Sequence, residues 1–378
     1  MKSLSAVAIS ALLLGCASPS ALEVEKPAEL PEFIPERTAQ MLWRHDVGRG
    51  VEKDFLQLGP QIDGDLVFMV DRRGDVEALE AATGRRVWEV RLDVQTSAPV
   101  GVGDGLVLVA TRKGELIALD SATGARRWQA ALSTEVLAPA IAHLGTVVAQ
   151  TGDGKLVALN AADGKRRWVF ERIEPPLSLR GTSRPVILGE YVLSGFANGK
   201  IVALDLRDGR LLWELPVATP RGRSEIERLV DVDAPVLVVR DALYAASYQG
   251  KIVAVDLRSG RLNWSRDASV FNAMAADDRN LYVTDDKSIV MAVDQASGAI
   301  VWRQDRLRGR RVSAPTIVDG YVAVGDFEGY VHWLSPEDGR FVARFRASPD
   351  AVRAPGIVSH GALVVGDQGS AVTALVVR

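Results

Sequence analysis

Four histidines, one cysteine and a scatter of carboxylates and arginines are the residues in this sequence with a claim to chemistry. A metal site or a general base needs such groups gathered, usually at short spacings on one element. His45, His143, His332 and His360 are far apart instead, and Cys16 stands alone near the start. His143 and His360 fall in equivalent turns where other parts of the chain carry Gly-Asp-Gly or a similar phrase, which reads as exposed turn positions. No HExxH, GxSxG or Walker phrase is present. Asp120, Asp205, Asp256 and Asp294 recur at one place in a repeating phrase, so they read as turn-makers rather than as a catalytic pair. The doublets Arg85-Arg86, Arg126-Arg127 and Arg166-Arg167 recur in the same way and read as a solvated strand face. The residues predict no enzyme, no metal site and no cofactor site.

The elements that carry these residues come from one unit. ALDSATGARRW at Ala118–Trp128 returns as ALNAADGKRRW at Ala158–Trp168, ALDLRDGRLLW at Ala203–Trp213 and AVDLRSGRLNW at Ala254–Trp264. Seven copies carry the turn glycine: Gly84, Gly124, Gly164, Gly209, Gly260, Gly298 and Gly339. Six have Trp four residues later (Trp88, Trp128, Trp168, Trp213, Trp264, Trp302), and Ala343 replaces the seventh. A proline opens the units at Pro60, Pro99, Pro139, Pro185, Pro235, Pro315 and Pro355, with Met274 standing in once. The Trp spacings of 40, 40, 45, 51 and 38 residues suit four short strands. Runs such as LVLVAT (Leu106–Thr111) and ELIALD (Glu115–Asp120), separated by a glycine turn, read as hairpin strands. A four-stranded sheet of this kind exposes an apolar face unless neighbours cover it, and radial packing does so; the fold is therefore all-β, a β-propeller. The strands after Pro355 stop before any Trp, while MLWRHDV with Trp43 lies unclaimed near the N-terminus. Seven whole blades and one shared between the termini make an eight-bladed β-propeller of four-stranded antiparallel blades over residues 41–378, its last blade closed by the N-terminal strand.

Composition adds exclusions. A formal net charge of −3 gives no case for nucleic acid. Lys2, the apolar run Leu4–Leu14 and Gly15-Cys16 make a signal too short to span a bilayer. Leu13-Leu14-Gly15-Cys16 resembles a lipobox, which implies residues 1–15 as a lipoprotein signal peptide and Cys16 as the acylated first residue. Ala17 rather than Asp after it implies sorting to the outer membrane, with the acyl chains as a lipid anchor. Four prolines and five glutamates between Ala17 and Gln40 predict a disordered tether over 16–40.

The repeat is exceeded in two places. ERIEPPLSLRGTSRP lies between Trp168 and Trp213, and ATPRGRSEIERLVDVDAP between Trp213 and Trp264. Both join the last strand of one blade to the first of the next, so both emerge on one face of adjacent blades. They place Leu177, Leu179 and Arg180 near Asp231 and Asp233, apolar anchors with charged neighbours of the kind found in protein-docking patches. Local packing of a long loop, and an Asx-turn into the strand at Pro235, are the plainer readings of the same residues.

The Ala-x-Asp-x-x-x-Gly-x-x-x-Trp phrase resembles the repeat of pyrroloquinoline-quinone enzyme propellers, in which the Trp docks blade on blade. That resemblance implies a quinone-dependent dehydrogenase as one alternative. Its members commonly carry adjacent cysteines and a bound Ca²⁺, and this sequence has no cysteine pair. A generic ligand-binding propeller is another alternative. Gly15-Cys16, the acidic Pro-rich segment, eight such blades, LSLRG (Leu177–Gly181) and DVDAP (Asp231–Pro235) together resemble the B lipoprotein subunit of the outer-membrane β-barrel assembly machinery. This resemblance implies a non-enzymatic scaffold, lipid-anchored in the outer membrane and facing the periplasm, that helps deliver barrel proteins. It implies the periplasmic domains of the barrel-inserting subunit as partner and unfolded outer-membrane proteins as further partners. Leu177, Leu179, Arg180, Asp231 and Asp233 are the residues it implies for partner binding.

Overall fold

Blade two sets out the pattern. Gly101–Gly103, Leu106–Ala110, Glu115–Asp120 and Arg126–Ala131 pair in order as an antiparallel meander. Alternation of short apolar runs with tight turns forces this shape. The turn before the outermost strand closes when Gly124 N–H donates to the Asp120 carbonyl at 2.8 Å, while Asp120 Oδ1 accepts from the Thr123 amide at 2.9 Å. The extra residue of that turn appears as a bulge between Ala118 and Leu119, and it leaves Ala118 opposite Trp128.

The computed structural model describes residues 26–48, 56–172, 183–219, 224 and 229–378, and all regular structure among them is β. Eight four-stranded sheets follow one another. The blades span 61–91, 101–131, 141–171, 186–216, 237–268, 275–304 and 316–346, and the eighth combines 357–377 with the N-terminal strand Ala39–Asp46. That strand pairs along its length with Ala371–Val377, Trp43 facing Ala374. The eight-bladed ring expected from the repeat, closed from the N-terminus, is the observed fold.

Blades adhere through the repeat tryptophans. Trp128 is 8% exposed and lies over Gly164 of the next blade, where an added Cβ would sit 2.6 Å from the indole. The same glycine has φ +71, so both space and backbone demand it. Trp128 Nε1–H donates to the Ala161 carbonyl at 2.7 Å. Trp43, Trp88, Trp168, Trp264 and Trp302 repeat this bond to Ala81, Ser121, Leu206, Gln295 and Pro336. Each indole is thus core packing plus one satisfied donor, and the reading of these residues as scaffold holds.

Blade seven inverts the pair: Trp333 sits on the third strand and Ala343 opposite it on the fourth. Trp333 fills the contact between blades seven and eight at 1% exposure. Its Nε1 has no hydrogen-bond partner among the described residues. The cause is topological. Six other indoles donate to the turn between third and fourth strands of the next blade, and in blade eight those strands, 371–377 and 39–46, are not joined by a turn. The gap between them is clasped by Thr38 N–H to the Arg378 carbonyl at 2.9 Å and Arg378 N–H to the Thr38 carbonyl at 3.0 Å.

The expected tether over 16–40 is corrected from Lys26 onward, and the propeller begins before Met41. The closing strand starts at Ala39, and residues 26–38 run as a strap along blade seven. Phe33 stacks on Phe341 at 5.3 Å, and the Arg344 guanidinium lies 4.8 Å over the Phe33 ring. The Glu36 amide donates to the Val342 carbonyl at 2.9 Å, and its carboxylate meets Arg340 at 2.7 Å. Pro and Glu density forecast no core, but one aromatic and one carboxylate find receptors on a distant blade. Cys16 and the signal segment lie outside the described residues.

Candidate docking face and central channel

Connections from the outermost strand of one blade to the innermost of the next all cross the same face of the ring. Three are long: 47–60 joins blades eight and one, while 172–185 between blades three and four and 217–236 between blades four and five are neighbours in the ring. Leu177, Leu179 and Arg180 fall in 173–182, outside the described residues. The flanks of the two connections are tied: Ser183 Oγ–H donates to the Ala234 carbonyl at 3.3 Å. The second is anchored onto blade four, since Val232 N–H donates to the Phe196 carbonyl at 3.2 Å and Leu229, Val230, Val232 and Ala234 are buried. Burying that apolar series takes Asp231 inside with it, at 0% exposure. Asp233, two residues on, reaches the central channel. The two aspartates therefore do not form one exposed pair: Asp231 is an internal group of the connection, and Asp233 belongs to the channel wall.

The channel begins at the prolines that open the innermost strands. The residues just before them, and before Met274, form a ring around the axis: Gly59, Ala98, Ala138, Arg184, Ala234, Ala273, Ala314 and Ala354. Small residues are what eight converging strands can accommodate there. They leave a cavity of about 610 Å³ at this face, within the range of ligand sites. Its wall is largely apolar, with Leu56, Leu137, Tyr248 and Phe271, and Arg184 enters it. Arg184 Nη1–H donates to the Gln61 carboxamide oxygen of blade one at 3.0 Å, across the ring from blade four. Burial pushes its guanidinium below the ordinary arginine range. Arg184 was legible in the sequence and missed: aligning the eight prefixes to the strands leaves it the lone residue larger than alanine.

A second ionisable cluster lies in blade seven. His332 is 0% exposed; its Nε2 meets Asp326 Oδ2 at 3.0 Å, and Arg344 Nε–H donates to its Nδ1 at 3.2 Å. An accepting Nδ1 and a donating Nε2–H define the neutral ring. Burial pushes its pKa below the ordinary histidine value, against the pull of Asp326. Arg310 completes the group, with Nε 2.9 Å from Asp326 Oδ2, and donates to the strap at the Ala28 carbonyl at 3.0 Å. The cluster is sealed by its own contacts, and it fastens the strap rather than opening to a ligand. Asp120, Asp256 and Asp294 each accept from Thr123, Ser259 or Ser297 in their own turns, and Asp205 from the Arg207 amide. Arg85-Arg86, Arg126-Arg127 and Arg166-Arg167 are exposed. Among the described residues no three His, Cys, Asp or Glu side chains are placed to hold a metal.

Comparison with known proteins decides what this ring is. The family model described as "Outer membrane protein assembly factor BamB" matches residues 34–91, 72–304 and 286–377. The chain belongs to the BamB family. Among its relatives, the protein of that name from Alkalilimnicola ehrlichii is 49% identical over 92% of this chain and 90% of its own length. The one from Pseudomonas aeruginosa is 46% identical over 98% of each. The crystal structure of BamB from Moraxella catarrhalis superposes with a TM-score of 0.82 at 28% identity, covering 89% of this chain and 99% of that one. A quinohemoprotein alcohol dehydrogenase from Pseudomonas putida superposes with a TM-score of 0.70 at 14% identity, over 89% of this chain and 76% of its own, a likeness of fold alone. As a BamB-family member the chain is an outer-membrane protein assembly factor and not an enzyme.

Proposed function

We propose that the protein is a scaffold at the outer membrane that docks the periplasmic domains of the barrel-inserting subunit on the face crossed by the two neighbouring long connections. The observation that carries this reading is their convergence: adjacent in the ring, tied through Ser183 and Ala234, and beside the channel mouth. The connection 47–60 between blades eight and one is as long as 172–185 but has ordinary neighbours, whereas 172–185 and 217–236 flank one blade, and paired extra length on one sector is a place for recognition. Leu177 and Leu179 supply apolar anchors and Arg180 a charge, the composition favoured at the centre of protein interfaces. The enclosed Asp231 serves this surface from below, by fixing the path of the second connection, while Asp233 stands at the rim of the channel. Cys16 carries the acyl chains that hold the protein to the membrane, facing the periplasm.

The test is affinity for the purified periplasmic domains of the barrel-inserting subunit. Leu179→Ala and Arg180→Ala are each expected to weaken binding by about 2 kcal/mol with an unchanged melting temperature. Asp231→Asn is expected to weaken binding and lower the melting temperature together, because it acts through the buried connection. Wild-type affinity in both Leu179→Ala and Arg180→Ala would remove the long connections as the docking surface.

A further inference from the structure

Seven of the eight residues that ring the axis are glycine or alanine, and the eighth is Arg184. Putting a guanidinium among apolar walls is unfavourable unless its charge is matched. An arginine that serves only structure normally meets a carboxylate or reaches solvent along its stem. Arg184, half-buried at the channel mouth, meets no carboxylate among the described residues. Among the described residues its hydrogen-bond partner is the neutral Gln61 oxygen at 3.0 Å, which engages one of five N–H donors. Gln61 is itself oriented, its Nε2–H donating to the Pro60 carbonyl at 2.9 Å, so its oxygen is turned toward the arginine. The guanidinium is thereby held in place over the cavity without being neutralised. Asp233 and Arg112 also line the cavity and are engaged in interactions of their own. Neither forms an ion pair or hydrogen bond with Arg184 among the described residues, and burial alone displaces the Arg184 pKa. Around it, Leu56, Pro99, Leu137, Pro139 and Phe271 supply apolar wall.

We propose that the channel mouth is a binding site for a carboxylate carried on an apolar body, with Arg184 as its anion anchor. Two or more free guanidinium N–H groups suit the two oxygens of a carboxylate, and the wall suits an aliphatic or aromatic remainder. Such a group could be the C-terminus of an extended peptide or a free amphiphilic acid; the chemistry at Arg184 is the same. Arg184 lies at the end of the connection 172–185, just before the strand Val186–Leu188, but the cavity is walled from all around the ring, and binding there does not require the long connections to dock a partner.

Calorimetric titration of the purified full-length chain tests this with four probes: octanoate, octanamide, N-acetyl-Leu-Leu-Phe with a free carboxylate, and the same tripeptide as its amide. At least one acid is expected to bind, with its amide weaker by roughly tenfold or more. Arg184→Ala, which restores the residue type found at six other positions of the ring, is expected to lose that preference for acid over amide while melting within a few degrees of wild type. Arg184→Gln, closer in size, should lose it likewise and serves if the alanine variant does not fold. Gln61→Ala, which keeps the cation but frees it, is expected to fall between. Binding of the tripeptide acid but not octanoate assigns the peptide terminus, and the reverse assigns the free amphiphile. The proposal is overturned if neither acid binds wild type up to about 10 mM. It is equally overturned if acids and amides bind alike, or if Arg184→Ala keeps the preference.

Discussion

The junction between blades two and three and the junction between blades seven and eight are built on the same cross-strand pair placed in opposite order. In blade two, Ala118 on the third strand faces Trp128 on the fourth; in blade seven, Trp333 on the third faces Ala343 on the fourth. What the fold preserves is the summed volume of the pair, as close packing demands. What it does not preserve is the indole hydrogen bond, made by Trp128 to Ala161 and by Trp333 to none among the described residues. The difference teaches that the tryptophan's position follows its acceptor. An indole on the fourth strand is useful where the next blade offers a turn carbonyl, and blade eight has a chain break there.

Breaking the closure should have the largest effect. Deleting Ala39–Asp46 removes a whole strand, the buried Trp43 and the clasp between Thr38 and Arg378. Loss of a packed tryptophan alone costs about 3–5 kcal/mol, and two bare sheet edges invite aggregation besides. Deleting 26–37 should cost less, since it leaves Thr38 and its clasp in place and removes one aromatic stack, the pairs with Arg340 and the Ala28 acceptor of Arg310. Denaturant midpoints in the order wild type, strap deletion, strand deletion are expected; equal midpoints for the two deletions would falsify this division.

The comparison sharpens with Trp→Phe changes at the two junctions. Trp128→Phe forfeits volume and a 2.7 Å hydrogen bond, leaving the Ala161 carbonyl without it. Trp333→Phe forfeits volume but removes a buried donor that had no partner among the described residues. The first should therefore be the more destabilising by about 1 kcal/mol, read as the difference of the two stabilities. A larger loss at Trp333 would mean that its Nε1–H is satisfied after all.

The smallest effect expected is that of pH on blade seven. The folded pKa of His332 lies below its unfolded value, so unfolding takes up a proton as pH falls. Its contribution to stability is fully present above the unfolded pKa, about 6.5, and declines as pH drops from there toward the folded value. Asp326, whose pKa is also held low, acts in the same direction at still lower pH. The stability advantage of wild type over His332→Gln should shrink between about pH 7.5 and 5.5, by about 1 kcal/mol or less. An advantage that grows on acidification would mean that the ring is charged in the fold.

The ring was legible because its signals are local and repeated: turn glycines, an opening proline and a Trp at fixed offset recur often enough to be counted. The inverted pair in blade seven was not, since the sequence places Trp333 ten residues before Ala343 and only the bulge brings them face to face. The strap was hidden for a related reason. Phe33 and Glu36 sit in a segment whose composition argues against packing, and their receptors, Phe341 and Arg340, lie more than 300 residues away. Of the candidate docking residues, the leucines and Arg180 fall outside the described residues. Asp231 looked like an exposed acid before a proline; Val230 and Val232 beside it signalled the apolar edge that carries it inward.

The strap also sets a length. Its first described residue, Lys26, lies beside the connection between blades six and seven, where Pro27 approaches Gly309 and Ala28 N–H donates to the Arg308 carbonyl at 2.9 Å. That connection crosses the same face as the channel mouth. If Cys16 is acylated as proposed, the leash between bilayer and ring is residues 17–25 alone, which even fully extended reach no more than about 30 Å. A leash running from Cys16 to Gln40 would have allowed the ring to roam and tumble over more than twice that radius. On that proposal the propeller would hang close to its membrane, tethered off-centre from the rim of the face that bears the long connections, and a partner meeting that face would have to enter a shallow gap between ring and bilayer.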